Sequence, residues 1–466
     1  MTEKRKIYFR ADAGPQIGYG HYIRSLALAD MLKQDFDCTM FTQSPTEYQL
    51  REAAGICNVV VLPADDTRFN KFLDYLTGDE IVVLDNYFFT TDYQCSIKNK
   101  GCKLVCIDDM HDKHYVSDVV INHCIEDKLL FDIESYTHLC IGARYALLRG
   151  AFFKTYNYKK SIPWVICFGG SDQYNLTSKA IQALQNNGVQ HIVAIVGDGY
   201  QYKEDLQQYK GIKVLSGLSA DEMAILLAKS ENVICSASTI CYEALSQKCR
   251  VYAGWYVDNQ YEFYNTLLNK DIIVPLGNLL ENPILINGIE KINNILNLNF
   301  NKEYVRGLFL YLCLTSYNYT ELSNDLSYAV WQCRNQPEIR VCMTNQQPFD
   351  FDSHCKFVSN LSNDSSKLYL AWFLDDQFVA SCNLVDIKKF DSASFGIFIN
   401  PLFHSIKIGS LLVHQMEYLA VVKFSLKRMV TEVLKDNHKS FRYNLSNGYI
   451  LTNEDERFYY FEKCLL

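Results

Sequence analysis

The alternation of short apolar runs with stretches of helical periodicity is the feature that most constrains the fold of this chain. Runs rich in valine and isoleucine, such as "KIYFRAD", "IVVLDN" and "DVVINH", recur between helical segments, the first of which starts near residue 20. Apolar strands separated by helices predict a parallel sheet that is covered on both faces. We expect such an α/β unit over residues 1–155.

The same pattern starts again at "SIPWVICFGGSD" and continues through "HIVAIVGDG", "ENVICSASTICYEAL" and "VYAGWY". We therefore expect a second α/β unit over residues 156–303. Two such units in tandem create a cleft at the carboxyl ends of both sheets, where open α/β folds bind their ligands. The polar and glycine-rich segments that follow the strands are therefore the candidates for a site.

The pattern changes near residue 303. The runs "KLYLAWFLDD", "QFVASCNLVDI" and "SFGIFIN" predict antiparallel strands, with a hairpin turn at Asp375 and Asp376. A long helix over about 408–424, a strand "RMVTEVL" and a helix from about 437 follow. We expect residues 304–466 to form an α+β domain.

Charge and apolar content exclude several classes of protein. The net charge of −8 and the absence of a Lys/Arg cluster argue against nucleic-acid binding. No apolar run approaches the roughly 20 residues of a membrane span. The N-terminal "MTEKRKIYFRADAG" has no apolar core or cleavage site for export, so we expect a cytoplasmic protein.

The chain has 17 cysteines, but their spacing does not indicate a metal site. No CxxC occurs, and several cysteines lie inside apolar runs such as "KLVCID", "WVICFGG" and "NVICSAS". Such cysteines are typical of buried, reduced thiols that pack as small apolar residues. We therefore predict neither a disulfide framework nor a metal site.

Glycine-rich or hydroxyl-rich turns follow three of the predicted strands. Glycines allow a sharp turn and a close approach to a ligand, and free amides at a helix start can bind an anion. In each case an ordinary helix cap or structural turn is the alternative. The segments are "GYGHYIRS" with Gly18, Gly20 and His21; "FGGSDQYN" with Gly169, Gly170, Ser171 and Asp172; and "CSASTICYEAL" with Ser236, Ser238, Thr239 and Glu243.

Together these segments resemble the UDP-sugar hydrolases of pseudaminic acid biosynthesis, relatives of the GT-B glycosyltransferases. The resemblance lies in "RADAGPQIGYGHYIRSLALA", "VVLDNYFFT", "LVCIDDMHD", "GARYALLRGAFF", "FGGSDQYNLT", "STICYEAL" and "DNQ", in family order over about the first 300 residues. It implies two Rossmann-like units in a GT-B arrangement. Ser236 and Ala237 stand where the family usually has two glycines.

The same resemblance implies roles for individual residues. His21 would be the general base that activates water against the anomeric carbon, a task that suits an imidazole. Tyr87 and Asn259 would line the sugar subsite, with Asp12, Asp85, Asp108 and Asp109 near the cleft or capping helices. The residues implied to bind UDP and the substrate are Gly18, Gly20, Gly169, Gly170, Ser171, Asp172, Ser238, Thr239, Glu243 and Gln260.

The last domain resembles the GNAT N-acetyltransferases, especially those that acetylate a 4-amino sugar of the same pathway. The resemblance lies in "WQCRNQPEIRVCM", "DSHCKFVSNL", "SFGIFINPLFHSIKIGSLLVHQMEYLA" and "TEVLKDNHKSFRYNLSNGYI". Tyr443 would be the general acid for the departing thiolate, and Arg334, Asn335, Arg340 and His354 would lie near the amine acceptor or form ion pairs and caps. Acetyl-CoA would be bound by Ile397, Ile399, Lys407, Gly409, Ser410 and Asn437.

The pyrophosphate loop of this domain departs from the family pattern. His404 stands in place of the usual first Gln or Arg, and Lys407 replaces the first glycine, so that only Gly409 is kept. Lys407 could add a charge for the pyrophosphate, or its Cβ could narrow the turn. The domain is therefore either an active acetyltransferase or a degenerate one.

The resemblances imply a bifunctional enzyme without a metal. The last domain would acetylate the 4-amine with acetyl-CoA, and the first two would hydrolyse the C1–O bond of UDP-2,4-diacetamido-2,4,6-trideoxy-β-L-altrose. The substrate partner is thus a UDP-linked 2,4-diamino sugar. The alternatives are a GT-B glycosyltransferase with a degenerate acetyltransferase-like domain, and a protein that binds nucleotide sugars without turnover.

Overall fold

The computed structural model describes residues 4–14, 19–197, 199–286, 298 and 300–465. The chain forms two compact units, Met1–Lys302 (unit 1) and Glu303–Leu466 (unit 2), and each is described by itself. The proposed boundary at residues 155 and 156 lies inside unit 1 and stays a prediction. Among the helices in these ranges, none combines the length and the apolar character of a membrane crossing.

The first sheet of unit 1 has seven parallel strands in the order β3-β2-β1-β4-β5-β7-β9. Its central strand β4 is apolar and buried throughout, as expected for a sheet covered on both faces. The elements are β1 (Lys6–Arg10), α1 (Gly20–Leu32), β2 (Asp37–Gln43), α2 (Glu47–Ala53), β3 (Asn58–Leu62), α3 (Thr67–Leu73), β4 (Ile81–Leu84), α4 (Thr91–Asn99), β5 (Lys103–Ile107), β6 (His114–Tyr115), β7 (Val119–Asn122), β8 (Asp132–Ile133) and β9 (His138–Ile141).

The second sheet of unit 1 has six parallel strands in the order β12-β11-β10-β13-β14-β15. One apolar core joins buried residues of the second sheet, such as Val233, to buried residues of the segments that follow the first sheet's last strands, such as Ile125 and Phe152. The elements are β10 (Ile162–Cys167), α5 (Leu176–Asn186), β11 (Ile192–Ile195), β12 (Ile212–Leu215), α6 (Ala220–Ala228), β13 (Ser230–Ser236), α7 (Thr239–Ser246), β14 (Arg250–Trp255), α8 (Asp258–Asn269) and β15 (Val274–Asn278).

We name the segments from Lys6 to Phe153 the first lobe and those from Ile162 to Asn278 the second lobe. The prediction of an α/β fold with parallel sheets is confirmed for both lobes. The GT-B arrangement of the lobes stays a prediction.

Unit 2 is built on a mixed seven-stranded sheet in the order β16-β17-β18-β19-β20-β22-β21. The predicted hairpin at Asp375 joins β17 to β18, and the predicted long helix is α13. The elements are α9 (Glu303–Leu312), β16 (Thr315–Asn318), α10 (Asn324–Arg334), α11 (Pro337–Arg340), α12 (Phe351–Leu361), β17 (Leu368–Leu374), β18 (Gln377–Lys388), β19 (Ser392–Ile399), α13 (Gly409–Phe424), β20 (Arg428–Leu434), α14 (His438–Ser446), β21 (Ile450–Glu454) and β22 (Phe458–Cys464).

The cysteines agree with the prediction of thiols that pack as apolar residues. Within the described ranges none of the 17 cysteines forms a disulfide, and most are buried. The exposed ones are Cys342, Cys355 and Cys464.

Candidate functional site

His21 lies in the first turn of α1 and is only 6% exposed. Its Nδ1 atom is 2.8 Å from Oδ1 of Asp85, the residue that follows β4. With Nδ1–H donating to this carboxylate, Nε2 carries the lone pair of the neutral imidazole. The pair thus orients a nitrogen that can accept a proton.

Asp85 is held as an anion by two neighbours besides His21. Arg24 donates from Nη2 and Nε to the two carboxylate oxygens, at 2.6 and 2.9 Å, and Ser25 donates its hydroxyl at 3.1 Å. Burial favours the neutral acid, but Arg24 and His21 outweigh it and lower the pKa of Asp85 to about 2. Asp85 is therefore ionised near neutral pH and accepts the hydrogen bond from His21 Nδ1–H.

A chain of hydrogen bonds leads from this cluster to the second lobe. Arg24 also donates to Asp109 at 3.1 Å, and the Tyr87 hydroxyl lies 3.3 Å from the same carboxylate. Asn259 of α8 donates to the Tyr87 oxygen at 2.7 Å. The rings of Tyr87 and His21 meet edge to face with centroids 4.5 Å apart. The structure thus brings together His21, Tyr87 and Asn259.

His21 and Tyr87 line a small recess together with Asn86, Asp109 and Lys113. Asp108 also borders it, but its carboxylate accepts from Tyr115, Asn122 and the Met110 and His111 amides. Asp12 is similarly engaged, by buried Arg10. Asp108 and Asp12 therefore support the surrounding loops, whereas Asp109 faces the recess.

A larger cavity of about 290 Å³ lies between the two lobes, next to this recess, and Arg24 borders it. Its volume is close to the lower end of the range for ligand pockets. The predicted residues Gly20, Gly169, Gly170, Ser238, Thr239 and Glu243 line this cavity.

Helix α7 begins at the cavity, and its first turn has no side-chain cap, because the Ser238 hydroxyl lies near Ser236 instead. Helix α1 also begins there without a cap, whereas α2 and α6 each have a complete capping box. Uncapped first turns present free amides and the positive end of the helix dipole. The helices at the cavity can therefore bind an anion.

Glu243 is held across the lobes by Arg149, which donates from Nε and Nη2 at 2.8 and 3.0 Å. Both residues line the cavity. Burial opposes the charge of Arg149, but the Glu243 carboxylate outweighs burial and raises the pKa of Arg149. Arg149 was not predicted from the sequence as a site residue, although it lies in "GARYALLRGAFF", one of the segments that carry the resemblance. Arg24 was also missed, although its position three residues after His21 places both on one helix face.

The other predicted residues of unit 1 have local roles or lie outside the described residues. Both oxygens of Asp172 accept amides at the start of α5, at 2.8 Å each. Gln260 accepts from the Tyr256 amide at 3.1 Å. Ser171 adjoins the cavity turn without lining it, and Gly18 lies outside the described residues. Ligand contacts for these residues stay predictions.

In unit 2, strands β19 and β20 separate where the resemblance expects the acyl-CoA groove. They pair as parallel strands only over Ser392–Ser394 of β19, while β18 pairs with β19 up to Ile399. The β20-facing edge at Ile397 and Ile399 is therefore free of β20. Helix α13 begins beside this edge at Gly409, without a side-chain cap, and the exposed Ser410 follows in its first turn.

Tyr443 of α14 points its hydroxyl at the start of α13. A Cβ added at Gly409 would lie 2.8 Å from this oxygen and 2.8 Å from Ile399 Cδ1, so a side chain here would require both neighbours to shift. The hydroxyl is buried and has no hydrogen-bond partner among the described residues, and burial raises the pKa of Tyr443. A buried hydroxyl without a partner is available for a hydrogen bond to a ligand.

Asn437 caps α14 by accepting from the Ser440 amide at 3.0 Å. His404 bonds through Nε2 to the Ile399 carbonyl, at 2.9 Å. Lys407 adopts the left-handed conformation, with φ +58°. The loop thus keeps the backbone shape that a glycine would allow, with the lysine in place.

On the expected acceptor side, two residues have unused polar atoms. Asn335 and Arg340 bond to nearby carbonyls of the 335–349 segment, which gives them structural roles. Arg334 Nη1 and His354 Nε2 are buried and have no partner within the described chain. Burial lowers the pKa of both side chains. In the described residues, no group of three or more His, Cys, Asp or Glu could hold a metal ion.

Comparison with known proteins gives matches of two kinds. No family model matches the chain. "Acetyltransferase PseH" of Campylobacter jejuni is 29% identical over 143 residues, which are 31% of this chain and 88% of that protein. The "UDP-2,4-diacetamido-2,4,6-trideoxy-beta-L-altropyranose hydrolase" of the same species is 27% identical over 270 residues, 55% of this chain and 93% of that protein.

A third relative is "Uncharacterized protein MJ1062" of Methanocaldococcus jannaschii, 25% identical over 57% of this chain; the chain spans only 58% of its length. Among solved structures, C. jejuni N-acetyltransferase PseH in complex with acetyl coenzyme A is 26% identical over 32% of this chain and 98% of that one, with a TM-score of 0.28. The matches confirm the resemblance to a UDP-sugar hydrolase and to an acetyltransferase.

Proposed function

We propose that unit 1 hydrolyses the C1–O bond of UDP-2,4-diacetamido-2,4,6-trideoxy-β-L-altrose, with His21 as the general base. The observation that carries this proposal is the bond from His21 Nδ1 to the ionised Asp85 carboxylate, which leaves Nε2 to accept a proton. Similarity to the C. jejuni hydrolase supports the substrate.

In the proposed reaction, Nε2 of His21 takes a proton from water while the water oxygen attacks C1. The C1–O bond breaks, its electron pair goes to the β-phosphate of UDP, and the attack on the opposite face inverts the anomeric centre. Free amides at the start of α7 stabilise the charge that grows on the leaving diphosphate. The Asp85 carboxylate, which Arg24 keeps ionised, stabilises the imidazolium that forms on His21.

The remaining predicted residues have binding roles in this proposal. Ser238 and Thr239 lie at the diphosphate. Glu243, which Arg149 orients, accepts hydrogen bonds from the ribose hydroxyls. Tyr87, Asn259 and Asp109 surround the sugar. This assignment requires no metal ion.

We further propose that unit 2 acetylates the 4-amine of the precursor. Acetyl-CoA supplies an activated acetyl group when bound. The free edge of β19 and the uncapped start of α13 would hold it, and Tyr443 Oη would donate its proton to the thiolate. Acetylation then precedes hydrolysis, and the fusion raises the local concentration of the intermediate for unit 1.

The test measures UDP release by the full chain without any sugar acceptor, in water enriched in ¹⁸O. We expect turnover, with the label in the free sugar and none in UDP. A glycosyltransferase would release no UDP without an acceptor, and a binding protein would not turn over at all. Label in UDP would show attack at phosphorus and would rule out the proposed role of His21.

A further inference from the structure

We propose that helix α9, which precedes the first strand of unit 2, holds the loop over residues 404–409 in the conformation that binds the pyrophosphate of coenzyme A. Tyr304 and Gly307 are then positioning residues for the cofactor. This inference rests on the proposed use of acetyl-CoA by unit 2.

The need for such support comes from Lys407. Its φ of +58° and ψ of +18° lie in the left-handed region, which residues with a Cβ disfavour and glycine adopts without steric cost. The loop therefore has a shape that its own sequence does not favour. Something outside the loop has to stabilise it.

Tyr304 of α9 meets the lysine directly. The Lys407 ammonium lies 5.6 Å from the centre of the Tyr304 ring, within the range of a cation–π interaction. This contact draws the ammonium toward α9. The contact is made with Lys407 in the left-handed conformation and therefore stabilises that conformation.

Gly307 brings the backbone of α9 against the backbone of the loop. A Cβ at this position would overlap the Ile406 carbonyl oxygen and would lie 3.6 Å from the Ile408 amide nitrogen. Both Ile406 and Ile408 are buried, at 4% and 1% exposed. The glycine thus allows a close approach that fixes the peptide units on both sides of Lys407.

The C-terminal end of α9 is hydrogen-bonded to α13, the helix that follows the loop. The Tyr311 hydroxyl donates to Gln415 Oε1 of α13 at 2.9 Å. On its other side, Gly409 at the start of α13 meets Ile399 and Tyr443. Helix α9 therefore supports the loop from behind, away from the side on which the cofactor is proposed to bind.

The test is a double-mutant cycle on coenzyme A binding, measured by isothermal titration calorimetry with the full chain. We expect Tyr304→Leu to raise Kd by about threefold to tenfold, because the cation–π contact is lost. Tyr304→Phe, which keeps the ring, should restore binding to within about twofold of the wild type. In a Lys407→Gly background, Tyr304→Leu should change Kd by less than about twofold, because glycine needs no such support.

Gly307→Ala should have the larger effect, a loss of tenfold or more in coenzyme A affinity, with circular dichroism to confirm folding. In acetylation assays, Tyr304→Leu should raise KM for acetyl-CoA and leave kcat unchanged, while UDP release by unit 1 stays at the wild-type rate.

The outcomes separate the two proposals. A wild type that does not bind coenzyme A overturns the proposed function of unit 2 and this inference with it. A wild type that binds, but whose Kd does not respond to Tyr304→Leu or responds equally in the Lys407→Gly background, overturns the inference alone.

Discussion

His21 of unit 1 and Tyr443 of unit 2 are both proposed to transfer protons, but their surroundings are opposite. His21 lies against Asp85 and Arg24, a buried pair of full charges. The Tyr443 hydroxyl is buried and has no hydrogen-bond partner in the described chain. A base that must accept a proton gains from an oriented imidazole, whereas an acid that must keep its proton until the thiolate forms gains from isolation.

We expect the largest effect from removing the imidazole of the charged cluster in unit 1. His21→Asn should lower kcat for UDP release by about a thousandfold, because the proton acceptor is lost. Acetylation by unit 2 should continue at the wild-type rate. The matched control is His138→Asn, which replaces a buried histidine of β9 that lines neither the cavity nor the recess. A loss of less than tenfold for His21→Asn would remove its proposed role.

Asp85→Asn tests whether the carboxylate matters beyond packing. We expect kcat to fall on the order of 10²–10³-fold, because Nδ1 loses its anionic acceptor and the imidazole its orientation. The free energy of unfolding should also fall, by about 3–5 kcal/mol, because Arg24 keeps a buried charge with only Asp109 to balance it.

The control for that variant is Asp118→Asn, which removes a carboxylate that pairs with Lys98 away from the site. It should leave kcat unchanged. Equal activity losses in the two variants, measured by UDP release, would assign the effect of Asp85→Asn to general destabilisation.

Tyr443→Phe tests the uncharged group of this comparison, because it removes the isolated hydroxyl of unit 2. We expect kcat for acetylation to fall on the order of 10–10²-fold with KM for acetyl-CoA unchanged. Stability should not decrease, because removing an unpartnered buried hydroxyl removes a desolvation cost of about 1–3 kcal/mol. Tyr449→Phe, which removes a second buried hydroxyl without a partner, should leave kcat unchanged. A clear loss of stability in Tyr443→Phe would indicate a structural hydroxyl.

The smallest expected effect is a pH dependence. The pKa of Asp85 is about 2 in the folded chain against an ordinary value of 3.8, so ionised Asp85 stabilises the fold above the ordinary value. This contribution, about 2 kcal/mol, is lost as the pH falls from about 4 through 2. In denaturant titrations, the stability difference between wild type and Asp85→Asn should therefore narrow over this range. A constant difference would contradict the low pKa.

Periodicity and turn chemistry predicted most of the fold. The apolar runs at Ile162–Cys167 and Arg428–Leu434 are strands, and the long helix of unit 2 begins at Gly409. These elements follow from local patterns of burial, which a sequence displays directly. The division at Lys302 was less visible, because no linker composition marks it.

The site was predicted less completely, for physical reasons. His21, Tyr87 and Asn259 could be named from the motifs, but Arg149 is linked to Glu243 only by the tertiary fold. Asp172 and Asn437 have side chains that fit a ligand or a helix cap equally well, and only coordinates show the caps. Short polar side chains favour both tasks, so sequence alone leaves both open.

The bonds that join the lobes limit how this protein can be dissected. Tyr87 meets Asn259, and Arg149 meets Glu243, so each pair has one member before residue 155 and one after residue 230. A truncated protein that ends between the lobes would retain His21 but lose helix α7, at which the diphosphate is proposed to bind. Separating the two proposed activities by expression of fragments should therefore begin with a cut near residue 302, at which the sequence passes from unit 1 to unit 2.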